Sequence, residues 1–525
     1  MFNAEDAEVG AKERGGGFSL RPLRLIRLGG VLVAAGPGRA VRTEIIPVPI
    51  MKKLLSIMLS LLSLGVLAAN SPLPNVVFIV ADDLGWADLG AYGSSFHQTP
   101  RLDRLAREGL RFTNAYAACP VCSPTRAALL TGRYPPRVGI TDYIGGQRVG
   151  RLKPAPYLDH LPLKEMTVAD AFKDAGYATA FMGKWHLGGT NFYPTQHGFD
   201  VNIAGSAQGH PPSYFSPYKI PTLSDGPPGE YLTDRLTDEA VRFITTNRSR
   251  PFLLWLSHYA VHTPLQAKPE LLEKYRAALA QLPPAGDAEF RVEGDRRDRR
   301  LQRVPVYAAM LESLDQSVGR VMDALAQSGL DERTIIVFTS DNGGLSTSEG
   351  SPTSNAPLRA GKGWLYEGGV RVPLLVKWPG VTKPGATTDT PAISTDIFPT
   401  LLEAAGLPAR PQAHVDGVSL VPVLRGAQLP DRPFFWHYPH YGNQGGAPAG
   451  GVREGDWKLI EWFEDNRVEL FNLKTDFGEQ NNLAVKEPEK VKALHAQLAQ
   501  WRKNVGARMP TPNPDPSAAS GAPRR

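Results

Sequence analysis

An α/β fold, with a large, mostly parallel mixed sheet sandwiched by helices and a small C-terminal α+β subdomain, is predicted by three features of the sequence. These are continuous apolar runs of strand length, helical periodicities between them, and polar residues where each run ends. The runs fall at 75–80, 178–182, 252–256 and 334–340. Uninterrupted apolar strands suit a sheet covered on both faces, because alternation is needed only where one face meets water. Helical patterns fall at about 100–108, 164–175, 231–247, 304–327 and 394–405, with Gly109, Gly176 and Gly406 as stops. Strands alternating with helices predict parallel pairing between two helical layers. In such sheets the ligand site lies beyond the carboxyl ends of the strands. Those ends carry Asp82 and Asp83, Lys184 and His186, His258 and His262, and Asp341 and Asn342.

The organisation expected along the chain has five parts: a non-native upstream extension (1–50), a signal peptide (51–69), a catalytic domain (72–429), a C-terminal subdomain (430–505) and a disordered tail (506–525). The signal peptide is read from Met51-Lys52-Lys53, an apolar run from Leu54 to Leu67, and small residues at Ala68 and Ala69. That run is shorter than the roughly 20 residues of a membrane span. An exported protein, periplasmic or extracellular and without a stable membrane span, follows, with Met51 as the initiator. The C-terminal subdomain rests on short β-like pieces at 457–461 and 468–471 and a helix at 487–504.

The net charge of +6 is concentrated at the two ends: residues 1–50 contribute +2, Lys52 and Lys53 two more, and Arg524 and Arg525 another two. The near-neutral remainder gives nucleic-acid binding no support. The charged stretch 287–303 reads as a solvated insertion or as a basic loop facing substrate. Only Cys119 and Cys122 are present, which excludes a disulfide scaffold and leaves a redox pair as one reading of Cys119-Pro-Val-Cys122.

The chemistry centres on Cys122-Ser-Pro-Thr-Arg126-Ala-Ala-Leu-Leu-Thr-Gly-Arg133. With Ser123 as N-cap and Pro124 at the first helical position, Cys122 would sit at a helix N-terminus, where unpaired N–H groups favour an anion. Arg126 follows one turn later, so the cysteine is a nucleophile in an electropositive setting. Asp82, Asp83, Asp341 and the Asn342 amide form a hard, all-oxygen set suited to Ca²⁺ or Mg²⁺.

Cys-x-Pro-x-Arg with the downstream Leu-Thr-Gly-Arg resembles the modification signature of the type I sulfatases of the alkaline phosphatase superfamily, and the resemblance extends over roughly 72–500. It is similar to arylsulfatase A-like and N-acetylgalactosamine-6-sulfatase-like bacterial carbohydrate sulfatases. The resemblance implies an alkaline phosphatase-like fold and oxidation of Cys122 to formylglycine by a formylglycine-generating enzyme. The hydrated aldehyde would then be the nucleophile towards a small-molecule or glycan sulfate ester. It further implies that Asp82, Asp83, Asp341, Asn342 and the modified Cys122 hold the cation, usually calcium. Lys184 and Lys362 would bind sulfate, with Lys362, in Gly361-Lys-Gly-Trp-Leu-Tyr-Glu-Gly-Gly-Val-Arg371, reaching the bridging oxygen. His186, in Gly183-Lys-Trp-His, would steady the nucleophile and act as base, and His262, just before Thr-Pro, would serve beside Lys362 as substrate ligand and proton donor. His258 reads as structural and Cys119 as a bystander. Two other readings are a phosphonate monoester or phosphodiester hydrolase of the same superfamily and a catalytically silent sulfated-glycan-binding relative. Loop residues His210, Tyr214, Phe215, His437, Tyr438, His440 and Tyr441 suit sugar stacking.

Overall fold

The computed structural model describes residues 73–515 and, upstream, only the backbone of two short strands, Ile26–Leu28 and Val31–Val33, paired antiparallel. Apart from that hairpin, the expected extension (1–50), the signal peptide (51–69) and residues 516–525 of the tail lie outside the described residues.

The main sheet has nine strands. In chain order they are β1 (Asn75–Ala81), β2 (Leu110–Tyr116), β3 (Ala178–Gly183), β4 (Val201–Ile203), β5 (Phe252–Ser257), β6 (Thr334–Ser340), β7 (Arg371–Lys377), β8 (Ala386–Thr388) and β9 (Ala392–Ile393). They lie in the order β8-β2-β7-β6-β1-β5-β3-β4, with β9 pairing β2. Only β7 runs against its neighbours, so the sheet is mostly parallel. All four strands expected from the apolar runs are present. Strand β2, which carries interspersed polar residues, and strand β7, whose short apolar run contains Pro373, were not foreseen.

Strand β1 shows why its sequence is continuously apolar, since every residue from Asn75 to Ala81 is buried. Val77, Ile79 and Ala81 face one core and Val76, Phe78 and Val80 the other, as the two-residue strand period requires. Helices α1 (Pro100–Glu108), α4 (Leu232–Thr246), α5 (Pro269–Ala280) and α6 (Pro305–Gln327) cover the first face. Helices α2 (Cys122–Thr131), α3 (Val168–Asp174) and α7 (Ile397–Ala404) cover the second. Helix α3 is shorter than its periodicity suggested. Thr167 caps it by accepting from the Asp170 amide while the Asp170 side chain accepts from the Thr167 amide, and this box fixes the start at Val168. No helix among the described residues is long and apolar enough to cross a membrane.

Four antiparallel strands, Phe434–Tyr438, Ala449–Glu454, Trp457–Trp462 and Val468–Asn472, form the smaller C-terminal sheet, against which α8 (Pro488–Val505) packs. This sheet and the main one belong to a single compact unit starting at residue 73. The tail expected to be disordered from 506 is anchored in its first part. Thr511–Pro512 pairs with Leu152–Lys153, and Asn513 donates to Arg151 O and Gly150 O at 2.9 Å each. Pro510 and Pro512 hold the extended backbone that such an edge pairing uses. The charged stretch 287–303 contains a hairpin, Phe290–Glu293 with Arg296–Arg299, whose Glu293, Asp298 and Arg299 are buried. It is therefore packed, with Glu293 gripping Arg359 at 2.7 and 2.9 Å.

Candidate active site

One edge of the main sheet carries the carboxyl ends of β1, β3, β5 and β6 and, because β7 is reversed, its amino end. Five segments rich in charged residues therefore converge there. Asp82 and Asp83 follow β1, and the second turns back because Asp83 adopts the left-handed conformation (φ 60°). Adjacent residues that would point to opposite faces in a strand are thus brought to one centre. The Asp83 amide donates to Asp341 Oδ1 (3.2 Å) and the Leu84 amide to Ser340 Oγ (3.0 Å), which binds the ends of β1 and β6 together.

Around this centre, one ligand atom from each of Asp82, Asp83, Cys122 and His262 lies within 4.8 Å of the others. Lys184 Nζ is 2.6 Å from Asp82 Oδ2, and Lys362 Nζ is 2.8 Å from Asp83 and 3.2 Å from His262 Nε2. Arg126 grips Asp341 Oδ2 through Nε (2.9 Å) and Nη2 (2.7 Å) and donates through Nη1 to Lys184 O and Ser257 Oγ. Asp341 is not part of the tight group of four, because Arg126 and the Asp83 amide engage its oxygens. Asn342 Nδ2 donates to Asp83 Oδ1 at 2.8 Å, which ties it to the same centre.

Cys122 is the first residue of α2, so the helix N-terminus faces the site as expected. The capping differs from the expectation. The flanking residue is Val121, with no side-chain cap, and Ser123 instead donates from Oγ to His186 O (2.9 Å) and accepts from the Ile144 amide (3.1 Å). Ser123 thus bridges two site segments. His186, itself in left-handed backbone (φ 53°), has Nε2 3.0 Å from Ile144 O, whereas Nδ1 is buried and unpartnered. Its ring lies over Gly209, where a Cβ would come within 2.6 Å of the imidazole.

Burial sets the electrostatics, and the cations oppose it. Burial pushes the Asp82 carboxyl well above its ordinary value, which Lys184 and Arg126 only partly offset and Asp341 reinforces. Burial acts likewise on Asp83, but Lys362 and His262 outweigh it and hold that carboxyl low. Burial and then Lys184 keep the His186 ring neutral. Burial would lower Lys362, yet Asp83, Cys122, Asp82 and Glu349 together raise it, so its ammonium persists.

The residues present fit a hard cation. Asn342 Oδ1 is a buried acceptor with no hydrogen-bond partner, and Asp82 Oδ1 has none either, only Arg126 Nη2 at 3.5 Å, a costly state that a bound cation would relieve. The Asn342 amide is oriented by its donations to Asp83 and Gly343 O, which leaves its oxygen turned to the same centre as the carboxylates.

Residues outside this cluster sort differently from their sequence reading. His258 is buried, bonded to Ser317 (3.0 Å) and lowered by burial to about 3, in keeping with a structural role. Burial raises the Cys119 thiol well above its ordinary value, as suits a bystander. Tyr214, His437, Tyr438 and His440 are buried, and each spends at least one polar atom on the fold, while Nδ1 of His437 and of His440 has no hydrogen-bond partner. Tyr214 donates to Tyr259 O (2.6 Å) and His262 O (2.9 Å), so it fixes the His262 segment from behind. Phe215 is half-buried against Tyr231, and Tyr441 donates to Glu464. Of the expected sugar-facing residues, His210 is the exposed one. Ser123, Ser257 and the Ile144 carbonyl were not foreseen; for Ser257 the available signal was its place at the end of β5.

A family model described as sulfatase matches residues 74–407, and one described as N-sulphoglucosamine sulphohydrolase, C-terminal, matches residues 360–504. A Formosa agariphila protein named sulfatase is 35% identical over 498 residues, covering 79% of this chain and 85% of that protein. N-acetylgalactosamine-6-sulfatase of Mus musculus is 33% identical, covering 82% of this chain and 80% of its own. Among solved structures, that of Ps i-CgsB in complex with k-i-k-neocarrahexaose superposes with a TM-score of 0.68 at 30% identity, over 82% of this chain and 92% of that one.

Proposed function

The chain belongs to the sulfatase family, and from that premise we propose that it releases sulfate from a sulfated carbohydrate, using formylglycine made from Cys122 and a divalent cation. The observation that carries this reading is the convergence of Asp82, Asp83, Cys122 and His262 within 4.8 Å, ringed by Arg126, Lys184 and Lys362. Asp82, Asp83, Asp341 and Asn342 would hold the cation, calcium before magnesium, with the modified Cys122 beside them. When bound it would supply charge neutralisation at the sulfate and at the attacking oxygen.

The side chains then divide the work. A sulfate monoester is negatively charged, so preorganised cations must receive it before attack; Lys184 and Lys362 orient its oxygens while Arg126 fixes Asp341 and the floor of the site. His262 Nδ1 faces Thr263 O at 2.8 Å and must donate to it, so Nε2 presents its lone pair to Lys362 Nζ. Lys362 therefore holds the proton nearest the leaving oxygen, with His262 as its partner in proton transfer. By the same logic His186 donates from Nε2 to Ile144 O, and its neutral Nδ1 is a free acceptor, the base needed to regenerate the aldehyde.

Export to the periplasm or outside the cell, maturation by a formylglycine-generating enzyme and the domain limits 72–429 and 430–505 are parts of the same proposal. The test is sulfate release from defined sulfated mono- and oligosaccharides by enzyme matured in the host, with peptide mass analysis in parallel. The Cys122 peptide should be lighter than its thiol form by about 18 Da, or appear as the hydrate, and Cys122→Ser should stall after one turnover. Full activity from an unoxidised thiol, or cleavage of aryl phosphodiesters with no sulfate released, would sink the reading.

A further inference from the structure

Glu349 lies on the loop between β6 and Lys362, exposed and in left-handed backbone (φ 52°). Its carboxylate is held from two sides: Oε2 accepts from Thr263 Oγ1 at 3.2 Å and Oε1 from Asn443 Nδ2 at 2.5 Å. Thr263 Oγ1 is also 3.3 Å from His262 Nδ1, and His262 Nε2 is 3.2 Å from Lys362 Nζ. Three contacts therefore separate Glu349 from the lysine assigned to the leaving oxygen. On the other flank, the exposed His210 ring stacks over His262 with centroids 6.1 Å apart and planes 15° from parallel. The loop is pinned where it carries Glu349, because Thr347 Oγ1 donates to Gln444 O (2.8 Å) and Arg299 Nε to Ser351 O (2.5 Å).

We propose that Glu349 determines which sulfated sugars the site accepts, taking a hydrogen bond from a hydroxyl or ammonium beside the sulfated position and repelling a second anionic group there. The proposal rests on the sulfatase reading above. Its physical basis is the contrast between the floor and the mouth of the site. The floor sets Arg126, Lys184 and Lys362 against Asp82, Asp83 and Asp341, so with a divalent cation bound it would carry a net positive charge and draw sulfates and carboxylates alike. Glu349 is bonded to two neutral donors, so its negative charge stays unneutralised by these contacts, and each oxygen keeps a second lone pair for a ligand. A like charge placed against it is disfavoured, and discrimination then arises from a built-in repulsion in addition to a fitted contact.

The experiment compares kcat/KM for two substrates that share the same sulfated sugar, one otherwise neutral and one carrying an adjoining uronate or second sulfate. Wild type should favour the neutral substrate. Glu349→Gln, nearly isosteric and still able to accept from Thr263, should shrink that preference roughly tenfold, the scale of a surface charge pair a few ångströms apart. Glu349→Lys should reverse it. The proposal is overturned if both variants change the two rates in the same proportion, as loss of a merely structural clamp would, or if wild type prefers the doubly anionic substrate. Thermal midpoints of both variants separate misfolding from altered selection. A wild type that carries the aldehyde yet releases sulfate from neither substrate overturns the sulfatase reading itself, an outcome distinct from an unchanged ratio.

Discussion

Two clusters of buried charge can be compared within this chain. At the carboxyl ends of the main sheet, Asp82, Asp83 and Asp341 face Arg126, Lys184 and Lys362, and yet Asp82 Oδ1 and Asn342 Oδ1 have no hydrogen-bond partner. Against the C-terminal sheet, Lys458 sits 2.9 Å from both Glu367 and Glu479. There the remaining oxygens are also met: Tyr116 donates to Glu367 Oε2 at 2.8 Å and the Glu367 amide to Glu479 Oε2 at 2.6 Å. Arg453 completes the second cluster by donating to the Tyr116 hydroxyl at 2.7 Å. Pairing in the second is closed and joins the short segment behind Lys362 to the C-terminal sheet. Pairing in the first is open, at the sheet edge where ligands bind. Similar residue types are thus arranged differently: Glu479 Oε1, without a hydrogen bond of good geometry, still has the Lys458 ammonium at 2.9 Å, whereas Asp82 Oδ1 has only Arg126 Nη2 at 3.5 Å and Asn342 Oδ1 has no hydrogen-bond partner.

Cys122→Ala should separate the clusters most sharply. Turnover should fall by at least about 10⁴-fold, as when a covalent nucleophile is removed. The thermal midpoint should stay within about 3 °C, since one sulfur atom is lost from a chain of this size. Steady-state sulfate release and a melting curve on the same preparation check both halves. A large loss of stability with retained turnover per folded molecule would erase the distinction.

The converse substitution, Lys458→Met, should destabilise the protein by about 3–5 kcal/mol, because it strands the buried Glu367 carboxylate and removes the cation beside Glu479. Activity per folded molecule at low temperature should survive. Denaturant titration followed by tryptophan fluorescence reads the first quantity, and single-turnover rates the second.

A cation should stabilise only the open cluster. At a free Ca²⁺ concentration 100 times its Kd, the gain is about 2.7 kcal/mol. Chelation should lower the thermal midpoint of the wild type and leave Asp82→Asn/Asp83→Asn unmoved. Equal responses from the two proteins would mean that the orphaned oxygens are not the binding point.

The open cluster was legible in the sequence and the closed one was not, for a physical reason. Parallel strands put chemistry at their carboxyl ends, so Asp82, Lys184, His262 and Asp341 could each be placed by the apolar run before them. Pro124 pointed to the helix that presents Cys122 but not to its start, which lies two residues earlier at Cys122 itself. Glu367 and Lys458 are 91 residues apart and Glu367 and Glu479 are 112 apart, each without a local pattern, so singly they read as solvated charges. The same limit explains the loop aromatics. Tyr214 and His440 look sugar-facing by composition, and only the tertiary contacts that bury them, to Tyr259, His262 and Thr141, reveal otherwise. Ser123 has the residue type of an N-cap, but the helix starts one residue before it, and its hydroxyl is engaged by Ile144 and His186.

The remaining expected effect is the pH dependence that Glu479 contributes within the closed cluster. Burial pushes the Glu479 carboxyl from 4.5 to about 7, with Lys458 opposing and Glu367 reinforcing the rise. The folded protein therefore holds a proton on Glu479 that the unfolded chain releases near its ordinary value. Between about pH 4.5 and 7 the native state binds more protons than the unfolded state, so stability falls as pH rises through this window and levels off above it. Glu479→Gln keeps an acceptor for the Glu367 amide and Lys458 but cannot ionise. Relative to wild type, it should become progressively more stable from pH 4.5 to 7 and hold a constant difference above 7, as measured by urea titration at half-unit pH steps. A difference flat across the whole range would show that Glu479 is ionised throughout, so that Lys458 is shared by two charged carboxylates and the closed cluster is less fully compensated than its geometry indicates.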